Sequence, residues 1–301
     1  MKIVVIGGTS LLGRYFLNTL GSDFEILAVQ RRSFSEAGDP SLDERCRLVR
    51  CDCLSRPDEI RANITGATWL INFISDGRVD ACENNPKASE QINLQFPLAL
   101  ARHCETHGIK TVNFSSNVVF DGLKAPYCET DTLSPQGVYG AYKAEVERQL
   151  GHSEQHLVIR TLSTYGIPFP NHYRTNPVFH LMTHRPETRV RAVTDVFNNP
   201  VYAQDIANFL VMAIRKNLAG IYNVAGADRL SRYQLFEYVF RACRYDLKLL
   251  TAARDRDFPG LPRPPDSTLL TDKAVAAGWR PGHIEQDIKD MLEDVGSTKI
   301  S

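Results

Sequence analysis

The run Lys2-Ile3-Val4-Val5-Ile6 meets Gly7-Gly8-Thr9-Ser10-Leu11-Leu12-Gly13 with no spacer, and apolar residues then recur at helical spacing to Leu20. A strand that feeds a glycine loop opening directly into a helix makes a phosphate cradle rather than an ordinary turn. Backbone N–H groups and the positive helix end both face an anion placed there. Gly7 permits the tight turn, and Gly13 lets the helix pack close to the strand. Ser10 stands in the middle, where glycine is usual. Gly7, Thr9, Ser10, Leu11, Leu12 and Gly13 are therefore expected to hold the pyrophosphate of a dinucleotide.

The first half alternates β-rich runs with helical patterns, the mark of stacked βαβ units. Strands are predicted at Ile3–Ile6, Glu25–Gln30, Arg47–Cys51, Thr68–Ile74, Thr111–Ser115 and His156–Thr161. Helices are predicted at Leu11–Leu20, Asp58–Ile64, Pro86–His107 with a kink at Pro97, and Gly137–Leu150. Beyond Gly166 the regularity fades, with helices at Val178–His184, Gln204–Lys216, Arg232–Arg241 and Ile284–Leu292 and a strand at Gly220–Val224. The tail past Val295 is expected to fray. The fold class read from this pattern is α/β: a Rossmann-type doubly wound parallel sheet with a smaller C-terminal α+β lobe. Residues 1–166 form the dinucleotide domain, to which the chain crosses back later, and 167–301 mainly the substrate lobe.

Composition narrows the class. The 301 residues carry no formal net charge, 43% are hydrophobic and 23% charged, so a polyanion-binding surface is not expected and nucleic acid is excluded as a partner. The apolar start breaks at Gly7, too short for a signal-peptide core, and no run reaches membrane-spanning length. The seven cysteines are irregularly spaced and read as reduced thiols of a cytoplasmic protein. His103/His107, His152/His156 and His180/His184 are i, i+4 pairs without a third ligand, so no metal site is expected.

At the end of the second strand an NAD-binding unit usually places an acid on the ribose. Here Val29-Gln30-Arg31-Arg32-Ser33 has none, and two guanidiniums can clamp a 2′-phosphate. NADP(H) is the expected cofactor, with Arg31 and Arg32 on the phosphate, Asp52 by the adenine, and Phe73 and Ile74 at the end of the fourth strand lining the site.

Tyr139 and Lys143 form Tyr-x-x-x-Lys on one face of a predicted helix. A free tyrosine titrates near about 10, and an adjacent ammonium is expected to lower that value and fit the phenol for proton transfer. Ser115-Ser116 ends the fifth strand, where a hydroxyl can bond a substrate carbonyl.

Together these residues resemble the extended short-chain dehydrogenase/reductase superfamily. Phe114-Ser115-Ser116-Asn117-Val118-Val119-Phe120-Asp121-Gly122 is similar to the strand-end motif of the dTDP-4-dehydrorhamnose reductase family, as are Pro126-Tyr127 with Glu129 and Val138-Tyr139-Gly140. Val79-Asp80-Ala81-Cys82-Glu83 with Pro86 and Ile92-Asn93 fits upstream. Arg160-Thr161, Tyr165-Gly166, Asn199-Pro200-Val201-Tyr202-Ala203 with Asp205, and Arg263-Pro264 with Ser267 fit downstream, so the likeness spans nearly the whole chain.

The resemblance implies Ser116, Tyr139 and Lys143 as the catalytic set, with Asn93 helping to hold the lysine. It implies a nucleotide-linked keto-deoxy sugar as substrate, contacted by Asp76, Asn117, Val118, Tyr202 and Arg263, with Arg174 a further candidate; a homodimer is compatible with it. The chain departs from the pattern at Asn117 and Val118, where Asp and Tyr are usual, at Ser10, and at Asp76, which replaces an aromatic. It also carries an insertion between the second and third strands. A 4,6-dehydratase would need an Asp-Glu pair where Asn117-Val118 stand, whereas a 4-epimerase is an alternative that usually retains NAD. The regulatory subunit of methionine adenosyltransferase shares many of these motifs, so a non-catalytic NADP-binding subunit is the other alternative.

Overall fold

The computed structural model describes residues 1–171 and 176–298. Six strands, β1 (Lys2–Ile6), β2 (Glu25–Gln30), β3 (Cys46–Arg50), β4 (Trp69–Asn72), β5 (Lys110–Ser116) and β6 (His156–Thr161), occupy the N-terminal half. They are followed by β7 (Val190–Val193), β8 (Phe197–Asn198), β9 (Gly220–Asn223), β10 (Leu230–Ser231) and β11 (Leu250–Ala253). A seven-stranded sheet runs in the order β3-β2-β1-β4-β5-β6-β9, every pair parallel. Its strands are apolar on both sides because both faces are covered. Val4, Ile6, Leu27, Val29 and Leu70 enter one core, and Ile3, Val5, Ile26, Ala28 and Ile71 the other. Strand order reverses between β1 and β4, which opens a crevice at their carboxyl ends.

Around the sheet lie α1 (Leu11–Thr19), α2 (Phe34–Ala37), α3 (Ser41–Arg45), α4 (Pro57–Asn63), α5 (Val79–Asn84), α6 (Pro86–Glu90), α7 (Phe96–Thr106) and α8 (Val138–Leu150). The C-terminal half adds α9 (Pro177–Thr183), α10 (Ala203–Arg215), α11 (Arg232–Ala242), α12 (Asp272–Ala276) and α13 (Ile284–Thr298). Two of its elements return to the first domain. β9 pairs with β6, and α10 lies beside α1, where Gln204 bonds the Thr19 hydroxyl at 2.8 Å. The remaining small sheets, β7 with β11 and β8 with β10, build the lobe over the crevice.

Sequence and structure differ in places. The helix expected over Pro86–His107 is interrupted by a π turn, Gln91–Gln95, between α6 and α7. Pro97 has no N–H to donate to the Asn93 carbonyl, and widening the turn accommodates that loss. The insertion after β2 folds as α2 and α3. It begins with a capping box: the Ser33 N–H donates to the Glu36 carboxylate at 2.6 Å and the Glu36 N–H to the Ser33 hydroxyl at 3.2 Å. The last helix runs to Thr298, past the expected fraying point; residues 299–301 lie outside the described residues, as does Arg174. Among the described residues no helix is long and apolar enough to cross a membrane, and no cluster of His, Cys, Asp and Glu could hold a metal.

Candidate active site

The glycine loop adopts the shape its residues demand. Gly7 has φ 76°, a conformation that favours glycine. A Cβ on Gly13 would run into the Gly8 carbonyl, so the first turn of α1 lies directly on the loop. Ser10 is the N-cap of α1, its Oγ accepting the Gly13 N–H at 3.1 Å. The serine thus satisfies one helix donor, while the unpaired N–H groups of the first turn remain available to an anion. These features leave the loop and the first turn of α1 facing the cavity with helix N–H groups, the arrangement that favours an anion. Ser10, Leu11 and Leu12 line a cavity of about 860 Å³.

Phe73 reaches the same cavity and stacks on Phe114, with ring centres 5.3 Å apart. Ile74 packs under the loop, 3.2 Å from where a Gly7 Cβ would stand. Arg31, Arg32 and Asp52 lie at the β2 and β3 ends, outside the cavity wall. Arg31 is exposed, whereas Arg32 donates to the Asn171 carbonyl at 3.2 Å and to the Glu36 carbonyl. Asp52 accepts the Leu54 N–H at 3.4 Å.

The strand alternation of β5 divides its terminal serines. Both line the cavity, but the Ser115 hydroxyl is engaged by the Glu147 carboxylate, whereas the Ser116 side chain lies beside Asn117. Ser116 Oγ donates to Asn117 Oδ1 at 3.2 Å, and Asn117 Nδ2 donates to Ser267 Oγ at 2.5 Å. Helix α8 is pressed against this corner, because a Cβ on Gly140 would strike the Val118 carbonyl. Its first turn is anchored by Glu83, which accepts the Val138 N–H at 2.5 Å. Tyr139 lines the cavity, and Lys143 is buried one turn below, its Nζ 5.7 Å from the Tyr139 ring centre.

Two expectations about this pair are corrected. Lys143 was expected to lower the tyrosine pKa, yet burial dominates and pushes the phenol up to about 12, with the Ser75 hydroxyl pulling it part of the way back. Burial also lowers Lys143 to about 8. Asn93 was expected to hold Lys143, but the lysine donates instead to the Phe114 carbonyl at 2.9 Å. The Asn93 side chain fixes the loop after β4: its Oδ1 accepts from Ser75 Oγ at 2.9 Å and the Asp76 N–H at 3.1 Å.

The substrate-side candidates separate as well. Asn117, Val118 and Arg263 face the cavity. Tyr202 does not: it is 5% exposed, stacked on Tyr165, with its hydroxyl 3.3 Å from that of Tyr15. Asp76 turns its carboxylate onto Arg78 at 2.8 and 2.5 Å, leaving Ser75 and Gly77 in the wall. Ser75, Ser163 and Arg232 line the cavity without having been singled out from the sequence. No local pattern marks them; only chain pairings distant in sequence bring them there.

The glycine loop, the switch-point crevice, and Ser116 and Tyr139 lining it with Lys143 buried beneath the tyrosine are the features of an extended short-chain dehydrogenase/reductase. Within that class the chain belongs to the RmlD substrate binding domain family, whose model matches residues 1–297. It is 28% identical over 307 residues to the dTDP-4-dehydrorhamnose reductase of Aggregatibacter actinomycetemcomitans, covering 96% of this chain and 98% of the relative. It is 27% identical over 318 residues to the enzyme of the same name from Escherichia coli K12, covering 99% of each. Among solved structures, a dTDP-4-dehydrorhamnose reductase from Clostridium acetobutylicum superposes with TM-score 0.81 at 22% identity, covering 98% of this chain and 100% of that one. The Bacillus anthracis enzyme, in complex with NADP, gives 0.80 at 20%, covering 97% and 99%. At these identities the structural likeness establishes the fold.

Proposed function

We propose that the protein is an NADPH-dependent reductase of a nucleotide-linked keto-deoxy sugar, similar to the dTDP-4-dehydrorhamnose reductases. The observation that supports this reading is that Ser116 and Tyr139 line the same cavity as Ser10, Leu11 and Leu12 at the N-terminus of α1. The loop around Gly7 and Gly13 suits a pyrophosphate, Phe73 and Ile74 would flank the nicotinamide end, and Arg31, Arg32 and Asp52 the adenosine end. NADPH, when bound, supplies the hydride.

The chain's own residues handle the proton and the geometry. Burial keeps the Tyr139 hydroxyl protonated at neutral pH, the state a donor to the keto oxygen needs. Ser116 Oγ, released from Asn117, donates a hydrogen bond to the same oxygen and stabilises its developing charge. Lys143, anchored on the Phe114 carbonyl, holds its ammonium below the tyrosine and orients the nicotinamide ribose. Asn117, Val118 and Arg263 contact the sugar nucleotide.

Incubation with NADPH and a panel of keto-sugar nucleotides tests the reading. Loss of NADPH absorbance is the expected result. Tight NADPH binding with no turnover across the panel would instead favour the regulatory-subunit reading, to be followed by co-purification with a partner.

A further inference from the structure

Beyond β4, the segment Ser75-Asp76-Gly77 passes the phenol of Tyr139. Ser75, Gly77 and Tyr139 all line the cavity, and a Cβ on Gly77 would stand 3.8 Å from the phenolic oxygen. One side chain holds the segment there. Asn93 is wholly buried in the π turn Gln91–Gln95. Its Oδ1 accepts from Ser75 Oγ at 2.9 Å and from the Asp76 N–H at 3.1 Å. Its Nδ2 donates to the Asp76 carbonyl at 3.1 Å and to Ser89 Oγ at 3.2 Å. A π turn inside a helix is rare and found mostly at functional sites. What this one delivers to the cavity is a fixed Ser75 hydroxyl.

That hydroxyl also hydrogen bonds the Tyr139 phenol, as the Ser116 hydroxyl does. Burial pushes the phenol up to about 12, and of the two hydroxyls Ser75 pulls it down the more strongly. A serine hydroxyl has one proton to donate and two lone pairs to accept with. While Tyr139 is protonated, the Ser75 proton lies on Asn93, which leaves the Ser75 oxygen to accept from the phenol. Once Tyr139 is ionised, the Ser75 proton can turn to the phenolate. Asn93 Oδ1 then keeps the Asp76 N–H, so its oxygen is paired in both states. The bond to the phenolate is charge-assisted and stronger than the neutral bond it replaces. Ser75 therefore favours the ionised state over the resting one, and a difference of that kind lowers a barrier.

We propose that Ser75, held by Asn93, is a positioning residue for Tyr139: it aims the phenol in the resting state and stabilises the phenolate once the proton has left. The proton step rests on the reductase reading; the coupling of Ser75 to Tyr139 does not. In that step the phenolic O–H bond breaks and its proton bonds to the keto oxygen as the keto carbon takes hydride from NADPH. The electron pair stays on the phenolic oxygen until solvent returns a proton. With a hydroxyl of its own for the phenolate, the site leaves Ser116 to the substrate oxygen.

Labelling the whole protein with difluorotyrosine, whose phenol ionises well below that of tyrosine, lets fluorine NMR follow the titration of Tyr139. Its signal is assigned by its loss in Tyr139→Phe. Ser75→Ala should raise the pH of that titration by about 1–2, and Ser75→Thr, which keeps the hydroxyl, should restore most of the difference. In turnover, Ser75→Ala should lower kcat by about 10- to 100-fold with KM, NADPH affinity and melting temperature unchanged, and Ser75→Thr should recover activity. A titration that moves in a protein that never oxidises NADPH would uphold the inference and remove the reductase reading. Turnover of a keto-sugar nucleotide, with kcat and the titration both unchanged in Ser75→Ala, would do the opposite. A kcat loss matched by weaker NADPH binding or a lower melting temperature would make Ser75 a support of the loop alone and overturn the inference.

Discussion

Arg160 Nη2 and Glu147 Oε2 lie 2.7 Å apart in an ion pair whose side chains expose 1% and 0% of their surface. Arg160 Nε also reaches both carboxylate oxygens, at 3.0 and 3.1 Å, and the Ser115 hydroxyl donates to the same group. The pair therefore ties α8, which carries Tyr139 and Lys143, to β6 and to the end of β5, which carries Ser116. It sits behind the site and sets the relative position of its parts. Removing one partner from such a pair leaves a buried charge. Arg160→Ala should lower unfolding free energy by about 3–5 kcal/mol, measured by urea denaturation. A loss under about 1 kcal/mol would show that the pair does not hold these elements together.

Tyr139→Phe removes the proposed proton donor while keeping the ring. NADPH-dependent turnover should fall by about 10²–10⁴-fold, with NADPH affinity within about twofold of wild type. Retained turnover would move the proton donor elsewhere.

Lys143 sets an expected pH limb. Its pKa, lowered by burial to about 8, leaves the ammonium present below that pH and lost above it. Since kcat/KM reports on groups of the free enzyme, it should decline as pH rises through about 8. In Lys143→Arg the declining limb should disappear from this range, because a guanidinium does not titrate there. A limb that stays in place assigns the titration to another group.

The two arginines after β2 should not contribute equally. Arg32 is committed to the Glu36 and Asn171 carbonyls, whereas Arg31 is exposed at the strand end. Arg31→Ala should reduce the preference for NADPH over NADH by about tenfold, and Arg32→Ala by clearly less. Equal NADPH and NADH affinity in the wild type would remove both from the 2′-phosphate.

A second pH effect concerns stability. Asp205 and Asp287 sit between α10 and α13, where burial raises them to about 7 and about 6; their mutual repulsion adds to the shift of Asp205. The folded state therefore holds protons that the unfolded chain, with ordinary carboxylates at 3.8, releases earlier. Stability from these groups is present below the ordinary carboxylate value and is lost as pH rises through about 6 and about 7. Tm should fall across that window, and Asp205→Asn should flatten the fall. An unchanged slope would place the titration elsewhere.

Much of the fold was legible because its determinants are local. β2 and β6 have the limits that their apolar runs predict, and the loop from Gly7 to Gly13 takes the form that its glycines and its strand–helix context require. Ser10 shows how far such reading goes: its deviation from glycine was visible, but its use as a helix cap emerged only with the φ and ψ of the turn. The π turn at Asn93 and the short pairs β7–β11 and β8–β10 were invisible, since single strands of two to four residues carry almost no periodicity.

By itself the sequence determined the βαβ alternation, the tight glycine loop before α1 and the i, i+4 pairing of Tyr139 with Lys143, because backbone sterics and helical period act over a few residues. Only the tertiary structure decided that Tyr202 belongs to the core, that Asp76 faces Arg78, that Asn93 serves the loop rather than the lysine, and that Arg232 lines the cavity. Those outcomes depend on which elements, distant in the chain, pack together. Burial and the partners it leaves within reach, rather than residue type, then decide what each side chain can do.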